Sequence, residues 1–321
     1  MLTGILAALG AGMLWGLIFL VPLVLGDYPP VVLSFGRYLA FGLLAVVLAG
    51  FDRRALVRLS RADWVEAAKL ALVGNLLYYS TLAAAIQLAG APVPAMIIGT
   101  LPVVIAITAN LLESRNEGGD AVHWRRLAAP LGIILTGLGV VQFGPGEATA
   151  VNEADPFDTA LGLLLACCAL ACWTWYPIRN SRWLRARPPG MSRAWATAQG
   201  LATLPLALVT ALGFAVWDWA SSGTGAVFSW PFGPRPALFV GLMLLTGLAA
   251  SWLGTLLWNK ASHLLPAALA GQLIVFETLA ALLYAFLWYG RWPTLHETIG
   301  IALLVTGVLF GVRAFRRLSA D

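Results

Sequence analysis

Ten apolar runs separated by short polar segments make up most of the 321-residue chain, at roughly 2–25, 30–50, 64–88, 92–112, 126–144, 158–178, 194–216, 237–258, 265–288 and 295–315. Most are 18 to 24 residues long, the length an α-helix needs to cross about 30 Å of hydrocarbon. The alternation of a membrane β-strand, about 10 residues per crossing, is absent. The pattern predicts an all-α integral membrane protein with ten transmembrane helices. Leu2 to Leu25 has no basic leader and no small-residue cleavage site, and reads as a retained span rather than a signal peptide.

One signature occurs twice. Gly132-Ile133 is followed by Leu135 and Gly139-Val140, and Gly300-Ile301 by Leu303 and Gly307-Val308 at the same spacing. Each copy closes a set of five runs. Five crossings leave the chain on the opposite side, so the second copy is inserted upside down. The expected organisation is a first five-helix repeat over 1–144, a linker over 145–157, an inverted five-helix repeat over 158–317 and a tail over 318–321. Inverted repeats point to a transporter with a binding site between its halves. Other anchors recur in order: Trp15-Gly16 stands 14 residues before Pro29-Pro30, and Trp173-Thr174 stands 15 before Pro188-Pro189. The four signature glycines are expected to allow close helix packing.

Charge gives the orientation. With the N-terminus cytoplasmic, 17 of the 20 basic residues fall in cytoplasmic segments, Arg235 and Arg291 fall outside, and Arg37 lies within the second run. That bias places both termini in the cytoplasm of a bacterial-type inner membrane. The outer linker fits, since it carries Glu147, Glu153, Asp155 and Asp158 and no basic residue. The net charge of +5 therefore reflects topology rather than a nucleic-acid footprint. At 60% hydrophobic and 11% charged, the chain has too little polar surface for a water-soluble domain. Cys167, Cys168 and Cys172 share one run without neighbouring metal ligands and read as small apolar core residues. The segment 217–236 holds Trp217, Trp219, Phe228, Trp230 and Phe232. It reads as an interfacial aromatic belt or as a lid over an outer cavity mouth.

Trp15-Gly16, Arg37 in FGRYLAFGLL, Pro102 in TLPVVIAI, the first signature, and the stretch from Phe276 to Gly311 together resemble the ten-span EamA-type permeases of the drug/metabolite transporter superfamily. The resemblance covers nearly the whole chain. It implies two five-helix repeats in a basket, with spans one to four and six to nine lining a central cavity and spans five and ten outside. Members export amino acids and other small metabolites or exchange phosphorylated sugars, and one branch exports aromatic amino acids. Two departures stand out. Arg37 has no basic counterpart in the seventh run, and Phe276-Glu277 stands where a second-half proline would match Pro102.

Glu277 sits about 12 residues into its run, near the midplane, where a carboxylate costs roughly 2.5–3.5 kcal/mol on insertion scales. A function or a partner must offset that cost. The functional reading is a counter-ion to a substrate amine or a proton-coupling carboxylate; the structural one is an ion pair or a neutral acid. Arg37 lies about 12 Å and Glu277 about 16 Å from their outer ends. Arg37 could pair with Glu277, hold a substrate carboxylate bidentately, or snorkel outward as an anchor. Asn75 neighbours Tyr78 and Tyr79 at helical offsets and suits either an amphipathic ligand or interhelical packing. Trp15, Trp173 and Trp252 could stack on a substrate ring or hold a cation, or pack as bulk. Thr100 and Gln272 are further candidates, but Gln272 and Glu277 lie about 140° apart on a helix, too far to share one narrow cavity. Pro22 and Pro102 interrupt their runs as hinges or static kinks. Lys260 and His263 belong to an inner gate or a basic loop.

The nucleotide-binding pattern GxxxxGK[ST] is absent, and nothing suggests an enzyme, a cofactor or a metal. The expected function is secondary transport: export of small amphipathic metabolites, amino acids foremost, by alternating access, with the bilayer and a small-molecule substrate as partners and a proton as the candidate coupling ion. The alternative is efflux of drugs or cations. A membrane-embedded lipid enzyme or sensor would need a cluster of His, Asp or Ser at one membrane face, and the sequence shows none.

Overall fold

A computed structural model describes residues 1–89, 97–114, 124–142, 156–188, 190–221 and 228–318, and among these all regular structure is helical. The first half contains α1 (Leu2–Val24), α2 (Pro30–Leu56), a rod of α3 (Arg61–Leu70), a π-helical segment (Ala71–Leu77) and α4 (Tyr78–Ala89), then α5 (Leu101–Ser114) and α6 (Trp124–Gln142). The second contains α7 (Pro156–Arg185), α8 (Ser192–Ser221), a rod of α9 (Pro236–Thr246), a π-helical segment (Gly247–Leu253) and α10 (Gly254–Leu264), then α11 (Ala267–Leu273), α12 (Val275–Tyr289) and α13 (Leu295–Leu318). Among the described residues, seven helical stretches are long and apolar enough to cross a membrane: Leu2–Val21 of α1, α2, α7, α8, the rod 236–264, 269–289 and 295–313. Leu101–Leu112 and Leu127–Val140 are shorter apolar helices, and the run 64–88 falls on the rod from α3 to α4. Most of the linker 145–157 lies outside the described residues, as do 319–321 of the tail.

Local chemistry sets the helix ends. Pro30 and Pro236 open α2 and α9 at positions where a missing N–H costs nothing. Ser60 and Asp63 form a reciprocal capping box at α3. Gly290, in the left-handed region at φ 60°, closes α12.

Two irregularities appear once in each half. The π segments 71–77 and 247–253 fall at the same place in their rods. A turn of i→i−3 hydrogen bonds sits before α5, where the Thr100 N–H reaches the Ile97 carbonyl and the Val103 N–H reaches Thr100. The same turn divides α11 from α12, with Ile274 bonded to Gly271 and Glu277 to Ile274. The break at Thr100 precedes Pro102, which lies in the first turn of α5. In the second half the break forms without a proline. Pro22 lies in the final turn of α1, and the helix runs through it to Val24.

The two halves interlock. α2 packs along α8, α6 along α13, α5 against α11, α1 against α10 and α12, and α4 against α7. Glycines set the closest seams. A Cβ on Gly137 would meet the Gly300 carbonyl oxygen and Leu303 Cβ, both at 3.0 Å, and one on Gly307 would meet the Pro130 carbonyl oxygen at 3.0 Å. The expectation for Gly132 fails, because nothing lies within 4 Å of its Cβ position. Gly137, five residues on and about 140° around the helix, points into the α6–α13 seam instead. Gly137→Leu is expected to lower stability by about 1–3 kcal/mol through overpacking, read as a lower thermal midpoint in detergent. Gly132→Leu should leave that midpoint unchanged.

The cysteine reading also needs correction. Cys167 and Cys168 are exposed on the outer face of α7 and Cys172 is half-buried, because the side of α7 toward α4 and the core is taken by Ala166, Ala169 and Trp173.

Candidate functional site

Between the two π segments lies a small cavity lined by Trp15, Ile18, Arg37, Tyr38, Phe41, Asn75, Tyr78, Trp173, Tyr176, Ser251, Thr255 and Glu277. Its volume is about 20 Å³, room for about one water. Each wall is held by a contact between halves. Arg37 on α2 donates from Nε to Ser251 Oγ at 2.8 Å, and its guanidinium carbon lies 5.1 Å from the Tyr38 ring centre. Asn75 Nδ2 donates to Thr203 Oγ1 on α8 at 3.0 Å. Ser251 and Asn75 are each the fifth residue of their π segment. Trp15 Nε1 donates to the Ala250 carbonyl at 3.0 Å, at a place where the wider π turn disturbs the usual ladder. A Cβ on Gly74 would run into the Tyr176 ring, so only glycine fits there.

Aromatic rings form one side of the cavity. Trp173 stacks on Tyr78 at 4.7 Å and on Tyr176 at 5.0 Å, and Trp15 meets Trp173 edge-on at 5.6 Å. Trp258 backs Trp15 at 5.3 Å. Glu277 is only 7% exposed and sits in the first turn of α12, where a negative charge meets the favourable end of the helix dipole. Its Oε2 has no hydrogen-bond partner, and neither has Trp173 Nε1. Arg37 and Glu277 both line the cavity, yet no ion pair joins them. Buried polar groups of this kind are normally satisfied, so the cavity holds donor and acceptor capacity that the protein does not use.

Six of the ten sequence-derived binding candidates meet here: Trp15, Arg37, Asn75, Tyr78, Trp173 and Glu277. Four do not line the cavity. Tyr79 packs edge-on against Tyr38 behind the wall. Thr100 bonds the Ile97 carbonyl at the break before α5. Trp252 points the other way from Ser251 and donates to Thr197 Oγ1 at 3.2 Å. Gln272 is fully buried against Gly311 of α13, with both amide atoms unpartnered, which fits its angular separation from Glu277. Sequence reasoning missed Tyr38, Tyr176, Ser251 and Thr255. Tyr38 follows Arg37 directly and Tyr176 stands one turn beyond Trp173, so two of these had a legible signal.

Packed polar and aromatic layers lie on both sides of the cavity along the helices. Toward the arginine-rich end a buried chain of amides and rings starts at the cavity itself. Tyr176 OH donates to Gln199 Oε1 at 2.8 Å, Gln199 Nε2 and Trp195 Nε1 both donate to Asn180 Oδ1, and Asn180 Nδ2 donates to Asn259 Oδ1 at 2.8 Å. Trp183 stacks on Trp195 at 3.5 Å. Outside this layer Glu66 binds Arg179, Asp52 binds Arg193 and Thr197, and Asp63 binds Arg187 and Trp183. Burial pushes the Asp63 carboxyl up, but bonds from Ser60 and Trp183 and the charge of Arg187 outweigh it and hold the group below its usual value. A depressed carboxyl stabilises the fold above its unfolded value, near 4, and that contribution fades as pH falls through the lower folded value. Asp63→Asn is expected to lower the thermal midpoint at pH 7 and to flatten its fall in acid, measured by thermal unfolding from pH 7 to 3.

At the opposite end, residues 228–235 cover the junction of α1 and α2. Tyr28 OH donates to the Phe232 carbonyl at 2.9 Å and accepts from the Arg235 N–H at 2.8 Å, and Arg235 pairs with Asp27. Trp230 stacks parallel to Phe35 at 6.1 Å and donates to Asp218. This part of the segment is packed against α1, α2 and α8, while Trp217 and Trp219 are exposed.

A sequence model of the EamA-like transporter family matches residues 2–141. The chain is 48% identical over 318 residues to the inner membrane protein YtfF of Escherichia coli (strain K12), covering 98% of this chain and 96% of that one. The chain belongs to the EamA-like transporter family. That places it in the drug/metabolite transporter superfamily, among transporters rather than enzymes. A crystal structure of a protein 18% identical in sequence superimposes with a TM-score of 0.73 over 98% of both chains, which shows a shared fold.

Proposed function

We propose that this family member is a secondary transporter of the bacterial inner membrane that exports small amphipathic metabolites, amino acids foremost. In this reading ten spans form two inverted five-helix halves with both termini cytoplasmic. The paired π segments, the paired turns at Thr100 and Ile274, and the packing of α2 on α8 and α6 on α13 support it. The observation that carries the reading is the placement of Arg37 and Glu277 in one aromatic cavity without an ion pair between them. Opposite charges left unpaired beside stacked rings suit a ligand that brings a carboxylate, an amine and an apolar side chain.

Transport then follows from closure. The cavity is occluded, with an amide gate toward the cytoplasm and the lid 228–235 outside. Rocking of the halves opens one end at a time and widens the cavity, which when closed holds about one water, so that the substrate is admitted only as the halves part. The turn at Ile274 lets the Glu277 half-helix move separately from α11, and Glu277 exchanges a substrate amine for a proton. The experiment is a ligand-stability and flux panel on purified protein. Stabilisation and proteoliposome flux with zwitterionic amino acids, and none with organic cations, support the reading. The reverse pattern supports drug or cation efflux, which the ring cluster beside a carboxylate would also suit.

A further inference from the structure

A second concavity lies away from the transport site. α5 and α7 splay apart and leave a groove of about 470 Å³. One wall is a single face of α5, from Val104 through Thr108 to Leu112. The other is a single face of α7, running from Cys167 past Leu170, Thr174 and Ile178 to Arg179 and Arg182. Fifteen residues of helix make it about 22 Å long, more than the roughly 15 Å of one leaflet's hydrocarbon. Its lining is apolar except for the arginines at one end and the two threonines, Thr108 and Thr174. The end carries Arg179 and Arg182, in the arginine-rich layer. Arg179 is neutralised by Glu66 through two bonds, whereas Arg182 is exposed and joins no ion pair among the described residues. Thr174 is 92% buried, and its hydroxyl has no hydrogen-bond partner.

We propose that this groove binds one anionic phospholipid of the cytoplasmic leaflet, its acyl chain between α5 and α7 and its phosphate on Arg182. The assignment of leaflet rests on the topology proposed above; the binding itself does not. Charge selects the occupant. The cation left free at the mouth favours an anionic headgroup, and the long apolar trough below it fits a chain that enters the bilayer core. The groove lies on the face of α7 beside the one that carries Trp173 and Tyr176, so an occupied groove also braces the aromatic wall of the cavity.

The test uses delipidated full-length protein in detergent, titrated with dioleoyl phosphatidylglycerol or dioleoyl phosphatidylcholine, with bound lipids counted by native mass spectrometry. The expected result is one site that prefers phosphatidylglycerol by at least about fivefold, the effect of one surface arginine. Arg182→Gln should erase the preference while chain binding persists. Ala171→Trp, which fills the groove from α7, should remove the site for both lipids. Thr108→Phe, filling it from α5, serves the same purpose if Ala171→Trp does not fold. Equal binding of the two lipids by wild type overturns the proposal. So does an unchanged preference in Arg182→Gln, or wild-type binding in a folded filled-groove variant. None of these readouts requires transport, so failure here and failure of the transport reading are separable.

Discussion

Glu277→Gln is expected to abolish substrate flux in proteoliposomes while insertion, monodispersity and thermal midpoint stay at wild-type level. Glu277 is buried at the first turn of α12 with Oε2 unpartnered, so the protein relies on it for no hydrogen bond at that atom. Exchanging it for the neutral amide removes a charge that is costly at membrane depth, so the fold does not suffer. The substrate does: an ammonium group left buried without its counter-ion costs about 3–5 kcal/mol, more than about a hundredfold in affinity. The variant also loses its exchangeable proton, so a pH gradient should no longer drive uptake. Wild-type flux from correctly inserted Glu277→Gln protein would remove Glu277 from the mechanism.

The second large effect is expected at Asn180. This side chain is fully buried and satisfies three partners: Trp195, Gln199 and Asn259. Asn180→Ala leaves each of them without its bond. Buried groups orphaned in this way cost about 1–3 kcal/mol apiece, so the closed arrangement should lose roughly 3 kcal/mol or more. Because the network starts at Tyr176 on the cavity wall, that loss falls on closure of the arginine-rich end. The expected readout is a lower thermal midpoint together with faster maleimide labelling of a cysteine placed at Ser192, whose carbonyl accepts from Asn259. An unchanged midpoint with unchanged labelling would show that the gate lies elsewhere.

The sequence made the helices legible because membrane thickness sets their length, and the doubled glycine signature pointed to the seam where α6 packs along α13. Arg37 and Glu277 stood out for a related reason: a charge inside an apolar run is expensive, and each appears in one half alone. Ser251 and Thr255 stayed hidden because a π segment changes the phase of its helix. Ordinary spacing treats Trp252 as the feature of that run, but the wider turn sends Trp252 to the Thr197 side and Ser251 to Arg37. The same shift separates Tyr78, in the cavity, from Tyr79 behind it, although both follow Asn75 at helical spacing. The amide cluster was invisible for another reason. Asn180, Gln199 and Asn259 come from three helices, and each alone is an ordinary polar residue near a span end. Gly132 shows the limit of motif reasoning: the signature was right about the seam between α6 and α13, yet the glycine that fills it is Gly137.

The central claim, two-point recognition of a zwitterion by Arg37 and Glu277, is tested most directly by equilibrium binding of an amino-acid substrate and its decarboxylated amine to wild type and Arg37→Gln. The account predicts that loss of the substrate carboxylate weakens binding to wild type by at least about tenfold, the effect of one charge-assisted contact, and leaves binding to Arg37→Gln unchanged. If the amine is penalised equally by both proteins, Arg37 does not hold the carboxylate and the account is wrong.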